Sequence, residues 1–185
     1  MRTARFGTAV LALVLTLTTA LTPGPALAAS AAEIDRDVTR AIQDMYAKEP
    51  KAKDLVARSK GILVFPTILK AGFLFGGQYG EGALRKKGRT VGYYNTVAAS
   101  YGLQAGIQTY GYALIFMTDA ALKYLDKSEG FELGTAPSIV VLDKGAAAGI
   151  STSSAQSDMY AMFFDQRGLM GGLGLQGTKV SRIDK

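Results

Sequence analysis

Apolar residues recur every three or four positions after Ser30, at Ile34, Val38, Ile42 and Met45 with Ala41 and Tyr46 beside them, which predicts an amphipathic helix. Ser30 and Glu33 have capping-box spacing at its start, and Pro50 ends it by Glu49. A second short helix is expected over residues 51–59, with Leu55 and Val56 inward and Gly61 just behind it. From Ile62 the pattern shortens to strand-like runs: 62–65, closed by Pro66, then 72–79, 80–84 and 90–94. The last two flank Arg85-Lys86-Lys87-Gly88-Arg89, which reads as a hairpin turn. Strands over 97–109 and 112–117 continue the meander through a turn at Tyr110-Gly111.

Thr118 and Asp119 open one short helix that runs to about Lys127 and stops at Gly130. Strands follow over 131–133, 138–142, 146–151, 159–164, 169–175 and 179–183, with turns at 143–145 and 165–168. The expected class is α+β: N-terminal helices packed on a mostly antiparallel, glycine-rich sheet framework, with one short helix between two strand-rich blocks. The glycines crowd the segment 61–117, where each costs roughly 0.5–1 kcal/mol of backbone entropy relative to alanine. So many in strand-like sequence point to close backbone packing.

Composition changes the picture at the N-terminus first. Arg2 and Arg5, the apolar run 9–21, the break at Pro23-Gly24-Pro25 and Ala26-Leu27-Ala28 form the pattern of a secretory signal peptide, with cleavage expected after Ala28. Residues 1–28 are then a leader and 29–185 a single domain. Loss of Arg2 and Arg5 takes the formal charge from +6 to +4, compatible with anionic partners but too weak to indicate nucleic acid by itself, and no nucleic-acid partner is expected. An exported chain with no cysteine depends on packing and hydrogen bonds alone. The absence of His and Cys excludes the usual zinc sites, Cys nucleophiles and Ser-His-Asp triads.

Other candidate chemistry is weak. Residues 172–177 match G-x-G-x-x-G, but only eight residues follow, too few for the helix the fingerprint requires. Asp119, Asp126, Asp143, Asp158 and Asp165 sit at turns and helix ends, where each has a capping or turn role. No enzymatic activity, cofactor or metal is expected.

The basic residues carry more. Lys60 and Lys70 flank the first strand, and Arg85, Lys86, Lys87 and Arg89 crowd one turn, with Phe73, Phe75, Tyr79, Tyr93 and Tyr94 in the neighbouring strands. At an anionic bilayer each cation contributes about 1 kcal/mol, so four at one tip supply roughly 4 kcal/mol of salt-sensitive attraction. Such a turn also serves as a solvated tip that keeps strand edges from associating. The first helix carries five acids, Glu33, Asp35, Asp37, Asp44 and Glu49, against three bases, Arg36, Arg40 and Lys48. That balance opposes adsorption to an anionic surface, and its apolar stripe is expected to cover the sheet.

Three segments, SKGILVFPTILKAGFLFGGQYGEGALRKKG, YYNTVAASYGLQAGIQ and YAMFFDQRGLMGGLGLQGTKVSRI, resemble in order and spacing the signature blocks of the SYLF lipid-binding domain. The match is closest to the exported bacterial branch, in which the domain stands alone behind a signal peptide. The resemblance implies a non-enzymatic protein that binds phospholipid. In eukaryotic members it implies phosphoinositides and, through linked regions, actin. Those members often have Trp-Ser-x-Pro where this chain reads Tyr93-Tyr94-Asn95-Thr96, and a basic lipid-binding helix where this one is acidic. The expected partner is therefore an anionic phospholipid or membrane surface at the cell envelope, met by Lys60, Lys70, Arg85, Lys86, Lys87 and Arg89. A protein or cell-wall partner of an envelope interaction module is the alternative.

Overall fold

A computed structural model of the chain describes residues 28–126, 131–132, 139–142, 157–168 and 177–185. The expected leader up to Leu27, the strands over 146–151 and 169–175, the turn at 143–145 and the glycine fingerprint before Gly177 lie outside the described residues.

Helix α1, Ala31–Lys48, starts as its capping box dictates. The Glu33 amide donates to Ser30 Oγ at 3.3 Å, and the Ser30 amide donates to Glu33 Oε2 at 2.8 Å. These bonds to Ser30 hold the Glu33 carboxyl below its ordinary range. Pro50 occupies the first turn of α2, Pro50–Arg58, where its missing N–H is no loss. The inner stripe Ile34, Val38, Ala41 and Met45, joined by Ala52 and Leu55 of α2, is buried against Ile62, Val64, Ala83, Ala113 and Ile115. The acidic helix thus covers the sheet, as its stripe requires.

The sheet is built on two much longer strands than the local pattern indicates. β1 spans Gly61–Lys86 and β2 spans Arg89–Phe116, paired antiparallel over nearly their whole length. Two expected boundaries are corrected. Pro66 does not end a strand: it sits in the bulge between Phe65 and Ile68, where the pairing is already interrupted and no ladder donor is missed. Tyr110-Gly111 is no turn either, since both residues lie within β2. Gly111 is needed for contact: a Cβ there would lie 2.2 Å from Phe164 Cε2.

The hairpin folds back on itself, and glycines permit it. A Cβ on Gly80 would lie 2.7 Å from the Thr67 carbonyl oxygen, and one on Gly82 only 2.1 Å from that of Val64. The first third of β1 therefore crosses its last third with backbone against side-chain-free backbone. The enclosed face buries Leu63, Phe65, Ile68, Leu84, Tyr94, Tyr110, Tyr112, Leu114 and Phe116, with the rings of Phe65 and Tyr112 4.9 Å apart. Helix α3, Asp119–Lys123, is capped by Thr118 Oγ1, which accepts from the Ala121 amide at 3.2 Å. With the 3-10 turn Tyr124–Asp126 it adds Leu122 and Leu125 to the same core.

The remaining strands edge this hairpin. β5, Met159–Gly168, pairs with β2 from Gln108 to Phe116, and β6, Thr178–Ile183, pairs with it from Tyr93 to Ala98. β3, Phe131–Glu132, lies outside β6, and β4, Ile139–Leu142, runs parallel to β5. Among the described residues the strand order is β3-β6-β2-β5-β4 with β1 on β2, an α+β fold with one parallel pair in a six-stranded, otherwise antiparallel sheet. The expected turn at 165–168 is instead the end of β5, which passes through Asp165 at φ 52° opposite a register shift.

Candidate functional site

The basic turn forms where Lys87 and Gly88 both adopt positive φ, 50° and 78°, with Lys86 and Arg89 facing each other across the ladder. This is the two-residue hairpin loop whose twist matches its strands. Lys87 and Arg89 are exposed, whereas Lys86 is half-buried. The start of β1 returns to this end: a Cβ on Gly61 would lie 3.3 Å from the Arg85 carbonyl oxygen and 3.4 Å from Lys86 Cγ.

Arg85 turns away from the tip. Its Nη2 donates to the Asp35 backbone oxygen at 3.0 Å, to Asp35 Oδ1 at 3.3 Å and to Thr39 Oγ1 at 3.1 Å, while Nη1 donates to the Gly88 carbonyl at 3.3 Å. Asp35 also accepts from Thr90 Oγ1 at 2.6 Å and from Tyr93 OH at 3.0 Å. Burial, then the bond to and charge of Asp35, push the Tyr93 phenol up, so it stays a donor. Arg85 Nε is buried with no hydrogen-bond partner among the described residues. It has donor capacity left for a further anion.

Helices α1 and α2, the start of β1 and the tip enclose a cleft of about 520 Å³, within the range of small-molecule sites. Ile42, Val56, Ala57 and Ile62 make its apolar wall; Lys53, Arg85 and Lys87 bring cations, and Gln43, Thr39 and Ser59 bring neutral polar groups. Tyr46 also lines it, and burial raises that phenol above its usual range. Across Thr39 and Arg85 lies a second depression of about 500 Å³, lined by Asp35, Arg36, Arg40 and Gln43 as well. Arg36 and Arg40 share Asp37 at 3.3 and 3.8 Å on an exposed helix face, an arrangement worth little in water.

The fold thus brings Lys60, Arg85, Lys86, Lys87 and Arg89 to one end and leaves Lys70 elsewhere, opposite Gln108 in the middle of the hairpin. Lys60 adjoins the cleft through Ser59 and Gly61 and pairs with Asp119 at 3.5 Å, both side chains at least half exposed. Three cations that sequence reasoning missed join this end: Lys53, Arg36 and Arg40. The four-residue spacing of Arg36 and Arg40 places them on one helix face, a signal present in the sequence but hidden by the net acidity of α1.

Residues 97–185 match the family model Ysc84, described as "Las17-binding protein actin regulator". LAS seventeen-binding protein 3 of Saccharomyces cerevisiae is 30% identical over 134 residues, 69% of this chain and 29% of that protein. Protein YSC84 of the same yeast is 26% identical over 157 residues, 81% of this chain and 33% of that protein. The chain therefore spans about a third or less of the length of these relatives. The family description denotes binding and actin regulation, and the name of the first relative denotes binding.

Proposed function

From the premise that this chain belongs to the Ysc84, or SYLF, family, we propose that it is a non-enzymatic protein that binds anionic phospholipid, exported to act at the cell envelope. One observation carries the reading: the cleft sets an apolar wall of Ile42, Val56 and Ile62 beside Lys53, Arg85 and Lys87. That is the complement of an amphiphile with a charged end. A phosphate entering beside the tip meets Lys87 and Lys53, while the spare Arg85 Nε offers a buried donor. Lys60 joins by leaving Asp119, because an exposed pair contributes only about 0–1 kcal/mol. Lys86 and Arg89 add longer-range attraction at the same end; Lys70 is too far along the strand to share it. The leader-like pattern of residues 1–28 supports export.

Co-sedimentation with phosphatidylglycerol vesicles tests this reading. Lys53→Glu with Lys87→Glu should abolish binding while the melting temperature stays put; unchanged binding would refute it. The yeast relative's printed name favours a second reading, a protein partner at the same cationic end. Stoichiometric capture of one protein in the absence of lipid would favour it.

A further inference from the structure

The helices cover only part of the outer face of the β1–β2 hairpin. Alternation along β1 puts Ala83, Glu81, Tyr79, Gly77 and Phe75 on one face, and Ala83 lies beneath the helices. On β2 the same rule puts Ile107 on the face of Ala113 and Ile115, which the helices also cover. Beyond their reach the face stays open and apolar: Phe75 is 74% exposed, Ile107 66% and Leu69 51%, with Tyr79 and Val97 beside them. Ala71–Ile107 beside Leu69–Thr109 places Leu69 and Ile107 diagonally on one limb, and Tyr79 pairs with Val97 on the other, four residues along the same face from Phe75; these two exposed patches make up the strip.

The charges around the strip identify its occupant. Val97 faces exposed Lys179 of β6, and Thr109 faces exposed Arg167 of β5, so a cation borders the strip on each limb of β2. Glu81 lies on the same face, but Lys185 Nζ sits 3.0 Å from its Oε2 and Tyr79 OH 2.7 Å from its Oε1. Glu132 holds the register position opposite Lys179 on the far side of β6. We propose that this strip is a membrane-insertion surface, in which Phe75, Ile107 and Leu69 enter the acyl boundary of an anionic bilayer, Tyr79 sits at headgroup level, and Lys179 and Arg167 meet the headgroups. The proposal rests on the phospholipid reading above and adds a contact separate from the cleft. From Phe75 to Lys87 the strand path is about 40 Å.

The chain has no tryptophan, so Phe75→Trp provides a single reporter. With vesicles of equal parts phosphatidylglycerol and phosphatidylcholine, its emission should shift to the blue and be quenched by brominated acyl chains. Phe75→Asp with Ile107→Asp, both at exposed positions, should keep the melting temperature and weaken vesicle binding at least tenfold with the tip intact. If the protein pellets with vesicles while the reporter stays in water and the double variant binds as well as the parent, the strip is not the contact and the cleft reading stands. A blue shift that follows protein concentration without lipid assigns the strip to self-association and overturns the proposal. No pelleting at all defeats the phospholipid reading, and the insertion surface with it.

Discussion

Arg85 Nη2 lies 3.0 Å from the backbone oxygen of Asp35 and 3.3 Å from its carboxylate, which fastens the basic end of the hairpin to the first helix. Four hydrogen bonds from three donors, Arg85 Nη2, Thr90 Oγ1 and Tyr93 OH, converge on this one residue. Asp35→Ala should therefore destabilise the fold by about 2 kcal/mol in urea unfolding, by leaving partly buried donors unpaired. Its binding to anionic vesicles, measured below the transition, should not fall, because removing the acid frees the guanidinium.

The crossing of β1 over itself sets different tolerances for its glycines. Gly82→Ala forces a methyl to within 2.1 Å of the Val64 carbonyl oxygen and should cost at least about 2 kcal/mol. Gly77→Ala meets only the Ala98 carbonyl oxygen at 3.7 Å and should change the midpoint little. Thermal melts of the two variants distinguish a packed crossing from a merely glycine-rich strand.

Glu81 and Lys185 form an ion pair with both side chains only 10% exposed, and Lys185 Nζ also donates to the Ala29 carbonyl at 2.8 Å. Lys185→Ala strands the carboxylate and should cost up to about 3 kcal/mol. Glu81→Ala with Lys185→Ala should recover part of that loss. A double-mutant cycle by chemical unfolding measures the coupling.

Burial, followed by the hydrogen bond to and charge of Glu81, pushes the Tyr79 phenol up to about 12, and burial does the same for Tyr110. A raised phenol favours its neutral form in the folded state. Its stabilising contribution is therefore complete below pH 10 and fades as pH rises from there through about 12. Spectrophotometric titration should show tyrosines ionising late, and Tyr79→Phe should flatten the loss of stability in that window.

What was legible in the sequence is what local chemistry determines. Ser30 and Glu33 fix the start of α1, its stripe fixes the face it buries, and the Lys87-Gly88 pair fixes the hairpin tip. Pro66 and Tyr110-Gly111 misled because punctuation residues have two uses. In a bulge or beneath an aromatic ring they let a strand continue where a local reading ends it. The site was half visible for the same reason. The run from Arg85 to Arg89 is contiguous, but the retreat of Arg85 to Asp35 and the arrival of Lys53, Arg36 and Arg40 depend on how the helices lie on the sheet. The uncovered strip around Phe75 and Ile107 depends on the same packing, because alternation alone does not tell a covered outer face from an open one.

The central claim, that the cationic end binds anionic lipid, is tested most directly by vesicle co-sedimentation over a salt series. Phosphatidylglycerol vesicles should pellet the protein, and phosphatidylcholine vesicles should not. Binding should weaken steeply as salt shortens the screening length. Lys86→Glu with Lys87→Glu and Arg89→Glu should abolish it at low salt. Equal binding to both lipids, insensitive to salt and to the triple reversal, would contradict the account.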